Sequence, residues 1–175
     1  MHRILIFVLL SLISISCSTI EMGTVHSTEN QELPKSQLVK DIVIKYGELS
    51  HETKSNAMAN KIDTRLNRYL ESELQARDLR DSETGQLTLE ILITDIWVKS
   101  GFSSAMFGAI PGKDRLITLV SIKNSSTGEL IKKYPVTAKH VPKTAWTNTS
   151  ARRSDNLAKS TAILIADSIH NTQLN

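Results

Sequence analysis

A chain of 175 residues has room for one core of ordinary size once a targeting segment is subtracted. Its 40% hydrophobic and 22% charged content is that of an average globular protein, which excludes a disordered or fibrous chain. The formal net charge of +3 is by itself too small to imply a polyanionic partner such as nucleic acid and decides little, while a single cysteine excludes an intramolecular disulfide framework and a cysteine-based zinc site.

The N-terminus reads MHRILIFVLLSLISIS, with a positive charge at Arg3, an apolar run from Ile4 to Ile13 and then small residues. That is the layout of a signal peptide, here residues 1–16. The run is shorter than the roughly 20 residues that a membrane-spanning helix needs. Ser14-Ile15-Ser16-Cys17 resembles the lipobox of bacterial lipoproteins, with Ser14 where the family favours leucine. The resemblance implies cleavage before Cys17, acylation of that cysteine and attachment to a membrane through two or three acyl chains, a firmer hold than one chain gives. Ser18, in place of Asp, implies sorting to the outer membrane with the domain facing the periplasm. The alternative is an ordinary secretory peptide or an uncleaved anchor.

From Ser18 to Gln37 the chain is polar, contains Pro34 and shows no apolar period, so residues 17–37 read as a lipidated N-terminus and flexible tether. About 20 such residues span roughly 25 Å. The folded domain then covers 38–175. Leu38–Tyr46 is rich in β-branched residues and reads as a strand. After Gly47, Met58, Ile62, Leu66, Tyr69, Leu70 and Leu74 form a helical stripe in one long helix reaching about Leu79, with Thr53 or Ser55 as its cap and Gly85 in the turn that follows. Leu87–Val98 alternates and then changes phase near Asp95, which predicts a strand with a bulge. Two further alternating runs, 116–122 and 130–136, flank Asn124-Ser125-Ser126-Thr127-Gly128 and predict an antiparallel hairpin. Leu157, Thr161, Leu164, Ile165 and Ile169 predict a closing helix, with Ser154 and Asp155 at its start. The expected fold class is α+β in the order β-α-β-β-β-α, a mainly antiparallel sheet of about four strands with two helices packed on one face.

Chemistry is sparse. The five histidines lack HExxH spacing and read as scattered surface residues, no G-x-S-x-G elbow occurs, and the carboxylates from Asp63 to Glu90 alternate with Lys and Arg as a salt-bridged helix face does. Gly108–Asp114 is one residue short of a phosphate loop and ends in Asp where Ser or Thr belongs. No metal, cofactor or catalytic residue is therefore expected. Two segments stand out. In 101–113 the apolar Phe102, Met106, Phe107 and Ile110 occur where a polar loop is normal; they either cap one end of the core or dock a partner. Between Leu130 and Ser154, Lys132, Lys133, Lys139, Lys143, Arg152 and Arg153 occur without an acidic residue, as an anion-binding patch or a solvated sheet edge.

With its lipobox, the helix ending YLESELQARDL, the strand LTLEILITDIWV, the glycine-containing loop and the Thr127-Gly128 turn, the chain resembles small uncharacterised Gram-negative lipoproteins of the YajG type and a related domain-of-unknown-function group. In element order it is more distantly similar to the periplasmic module of curli-secretion and penicillin-binding-protein-activator lipoproteins. The resemblance implies a non-enzymatic, lipid-anchored envelope protein acting through contacts with another envelope protein or a second copy of itself. The alternative is a module that binds an anionic envelope ligand, peptidoglycan or lipopolysaccharide.

Overall fold

The computed structural model describes residues 20–21, 37–98, 114–140 and 149–174. In chain order they form β1 (Ile20–Glu21), β2 (Val39–Tyr46), α1 (His51–Ala59), α2 (Ile62–Ala76), β3 (Leu87–Trp97), β4 (Asp114–Asn124), β5 (Leu130–His140) and α3 (Ser150–Leu174). The class is α+β. One sheet runs in the order β1-β5-β4-β3-β2. Two residues of the segment read as a tether, Ile20 and Glu21, pair with His140 and Lys139 at the outer edge of β5; residues 1–19 and 22–36, Cys17 among them, lie outside the described residues.

Alternation places the strand faces. β3 buries Leu87, Leu89, Ile91 and Ile93, and a register shift between Ile93 and Asp95 then turns Ile96 inward. β4 buries Leu116, Val120 and Ile122, and β5 buries Tyr134, Val136 and Ala138. The β4–β5 hairpin closes on Asn124, whose side-chain oxygen accepts from the Ser126 and Thr127 amides while Gly128 takes φ +72°.

The sheet is mixed, which corrects the expectation of antiparallel pairing at one place. β2 runs parallel to β3, with Ile42 opposite Leu89 and Ile44 opposite Ile91. Adjacent parallel strands need a crossover of a dozen or more residues, and the helical segment between Tyr46 and Leu87 supplies it. That segment is also two helices rather than one, making three among the described residues. Lys61 sits in the left-handed region at φ 51°, which no α-helix can propagate through, and Arg65 Nε donates to the Asn60 carbonyl at 2.9 Å. The cap of α1 is Ser50, which accepts from the Thr53 amide at 3.2 Å, rather than Thr53 or Ser55. Met58, on the separate α1, is exposed and leaves the predicted stripe.

Ile62, Leu66, Leu70 and Leu74 form a fully buried ridge along α2, and α3 packs Leu157, Thr161, Ile165 and Ile169 into the same core. α2 and α3 lie side by side on one sheet face and run in the same direction. Arg65 bonds Asp155 at 2.7 Å and Arg77 bonds Asp167 at 2.7 Å, two ion pairs with the same sequence offset of 90. α3 begins at Ser150, a turn earlier than Ser154 and Asp155 indicate.

Gly85 is required by close approach. A Cβ there would stand 2.7 Å from the Lys40 nitrogen and 2.9 Å from the Leu38 oxygen, and against the Asp81 carbonyl as well, all of them backbone. Gly85→Ala is expected to lose about 3 kcal/mol, the upper end of overpacking penalties. Gly128→Ala, in open space but at positive φ, should lose about 1 kcal/mol. Urea midpoints at unchanged m-value measure both, and a larger loss for Gly128→Ala would contradict this account of the Gly85 turn.

Candidate functional site

Polar chemistry concentrates at the end of the sheet where β3 finishes, β4 begins and β5 finishes. Asp114 opens β4 on the inward parity and is fully buried. Arg153, on the first turns of α3, meets it with two prongs: Nε donates to Oδ2 at 2.5 Å and Nη2 to Oδ1. A buried carboxylate costs several kcal/mol of solvation unless it is paired and hydrogen-bonded, and the bidentate guanidinium answers both needs. His140, the last inward residue of β5, places Nδ1 at 3.7 Å from Asp114 Oδ2 and Nε2 at 3.2 Å from Asn156 Nδ2. An N–H donated by Asn156 to Nε2 puts the ring proton on Nδ1, on the side of Asp114.

A histidine oriented by a carboxylate is the geometry of a general base, but a base must reach a substrate proton. Here the outer nitrogen already faces Asn156, and the ring is 2% exposed. The cluster fastens α3 to the sheet. A second polar junction fastens α3 to α2: Asp155 accepts from Tyr69 Oη at 2.7 Å as well as from Arg65. Burial would raise the Asp155 carboxyl, but the Tyr69 and Arg65 hydrogen bonds and the Arg65 and Arg68 charges hold it below the usual range.

The structure separates the predicted basic residues. Arg153 is buried against Asp114, so it is no part of a surface patch. Lys132 turns to the helix side, donating to Thr172 Oγ1 at 3.1 Å. Lys133 and Lys139 are exposed on the side of β5 facing away from α2 and α3, and Arg152 is exposed at the start of α3. Lys143 lies outside the described residues, as do Phe102, Met106, Phe107 and Ile110. His140 corrects the reading of every histidine as a surface residue. Asp114 and His140 were overlooked although parity marks them: each continues the alternation of buried positions, 114-116-118-120-122 and 134-136-138-140. Among the described residues no group of three or more His, Cys, Asp or Glu is placed to hold a metal, and no helix is long and apolar enough to cross a membrane.

The face of the sheet opposite α2 and α3 carries two cross-strand features. Glu90 lies between Lys123 and Lys45, and first the Lys123 hydrogen bond, then that of Lys45, holds its carboxyl down at about 2. At the far end of the same face Trp97 pairs with Arg115 and Arg115 with Lys139, so the three side chains form one row. Trp97 is 54% exposed, and Arg115 bonds Asp95 at 2.7 Å.

Two outcomes follow. Arg153→Met strands the Asp114 charge and should lose about 3–5 kcal/mol, most of it regained in Asp114→Leu/Arg153→Met, because an apolar pair removes both charges; urea unfolding of the three proteins measures it. Glu90 is depressed in the folded state, so its contribution is present above the unfolded carboxyl pKa of about 4.3 and is lost as pH falls toward 2. Glu90→Gln should therefore flatten the fall in midpoint between neutral and acid pH.

No family model matches the chain and no curated protein does. Solved structures do. The dodecameric PelC of Paraburkholderia phytofirmans is 14% identical, with 83% of this chain and 99% of that chain covered at a TM-score of 0.44. A Xanthomonas campestris protein of the family-model DUF330 is 12% identical, with 88% and 96% covered at 0.46. A minor lipoprotein of Acinetobacter baumannii is 12% identical, with 75% and 90% covered at 0.36.

Proposed function

We propose that the protein is a non-enzymatic lipoprotein of the cell envelope, held to the outer membrane by acyl chains on Cys17, with its domain in the periplasm and its work done through contacts with another envelope protein or a second copy of itself. The observation that carries the anchor is the order of the N-terminus: one positive charge, an apolar run too short to span a bilayer, small residues and then the chain's single cysteine. Contacts, as the mode of action, draw support from where the charged groups of α3 go. Arg153 pairs with the buried Asp114 of β4 beside His140, and the partly exposed Asp155 and Asp167 pair with Arg65 and Arg77 of α2. These groups hold a scaffold together, which leaves surfaces as the working parts.

The test is intact mass spectrometry with membrane fractionation of the full chain expressed in a Gram-negative host, alongside Cys17→Ala. The expected mature mass starts at Cys17 and carries acyl chains, and both the acylation and the membrane association disappear in Cys17→Ala. An unmodified Cys17, or a variant that stays uncleaved in the membrane, overturns the anchor.

A further inference from the structure

The direction of β1 fixes more than an edge pairing. β1 is antiparallel to β5, with Ile20 opposite His140 and Glu21 opposite Lys139. Ile20 is therefore the residue of β1 nearest the His140 end of the sheet, and only Ser18 and Thr19 separate it in sequence from Cys17. At about 3.3–3.6 Å per extended residue, the Cys17 backbone lies within about 11 Å of Ile20. A sulfur carrying acyl chains cannot be farther from the bilayer than its own side chain, so that end of the sheet is tied close to the lipid surface.

The residues at that end suit the position. Trp97 is exposed on the sheet face opposite α2 and α3, and an amphipathic indole suits the headgroup region of a bilayer, where its ring sits among acyl chains and its N–H among polar groups. Next to it in the row stand Arg115 and then Lys139, whose strand position is the one Glu21 pairs. Their long apolar stems can lie along the interface with the cations in the headgroups. Arg152 is exposed at the same end, one residue from the Arg153 that grips Asp114. Asp95 offsets part of the Arg115 charge, so the indole and the short link, rather than net charge, set the contact. We infer that the end of the sheet bearing Trp97, Arg115 and Lys139 docks on the lipid surface, with Trp97 at headgroup depth. The β4–β5 hairpin is then the pole that points away, because strands of 11 residues at about 3.3 Å each put Thr127 and Gly128 some 30 Å from it.

This orientation rests on the anchor at Cys17, and one experiment separates the two. An acylated sulfur is closed to thiol reagents, so the chain's single native cysteine does not interfere with labelling. Lys139→Cys and Thr127→Cys, purified with their acyl chains from membranes, are labelled with an environment-sensitive fluorophore. Each is then reconstituted in phosphatidylethanolamine–phosphatidylglycerol vesicles containing a headgroup spin-labelled lipid. Quenching several-fold stronger at 139 than at 127 is expected, together with a blue shift of Trp97 emission on reconstitution in a Trp146→Phe background. Acylated protein whose labels are quenched equally, or more strongly at 127, overturns the orientation and leaves the anchor standing. Protein whose mass shows Cys17 unmodified overturns both.

Discussion

The parallel pairing of β2 with β3 is the constraint from which the rest of the architecture follows. It obliges the chain to cross over between Tyr46 and Leu87, and a crossover that packs back on the sheet covers one face with helix. α2 accordingly runs opposite to β2 and β3. β4 and β5 each reverse direction, which leaves β5 parallel to β3, and α3 returning from β5 must then run the same way as α2. Two helices pointing in one direction beside each other cannot be joined by a short turn. They are held instead by the buried ridge of α2 against the apolar stripe of α3, and ion pairs at a constant offset, Arg65 with Asp155 and Arg77 with Asp167, mark their register.

α3 comes last in the chain, and the polar junctions converge on it. Its apolar stripe buries Leu157, Ile165 and Ile169, but an apolar stripe tolerates sliding and rotation. Arg153 against Asp114 does not: the guanidinium is planar and its fork fits the carboxylate in one orientation. Such a pair is a poor source of net stability, since desolvation offsets much of the attraction, and its effect is to fix where the helix begins. With the first turn fixed at β4 and the body fixed at α2, the N-terminal end of α3 is held at the same end of the domain as β1.

Much of this was legible in the residues. The β4–β5 hairpin followed from two period-2 runs around an Asn-Ser-Ser-Thr-Gly turn, and the shift near Asp95 from a change of phase. The direction of β2 was not legible, because alternation reports which face a residue takes and is silent about its neighbour's direction. The break at Asn60–Lys61 was hidden as well. It contains neither Gly nor Pro, and in the sequence Met58 stands four residues before Ile62, so the stripe reads as continuous across it although Met58 is exposed. At the candidate site, residue type misled. Arg153 read as one cation in a basic run, yet it lies four residues before Leu157 on the buried stripe; Asp114 and His140 likewise sat on buried parities. Where periodicity assigns a charged residue to the core, a partner of opposite charge on another buried position is the thing to seek.

The two kinds of lysine on β5 show how the sheet's edges divide the work. Among the described residues β1 covers only the last two positions of β5, His140 and Lys139, and no other described strand pairs with the outer edge of its earlier part. Lys132 and Lys133 lie in that part, where charged side chains oppose edge-to-edge pairing. At the opposite edge Arg80 does the same by another route, donating to the carbonyls of Val39 and Lys40 while held by Glu71. The charge that guards an edge is therefore not the charge that would meet a membrane. Lys139 sits where the edge is already closed by β1, so its charge is not needed to guard that part of the strand.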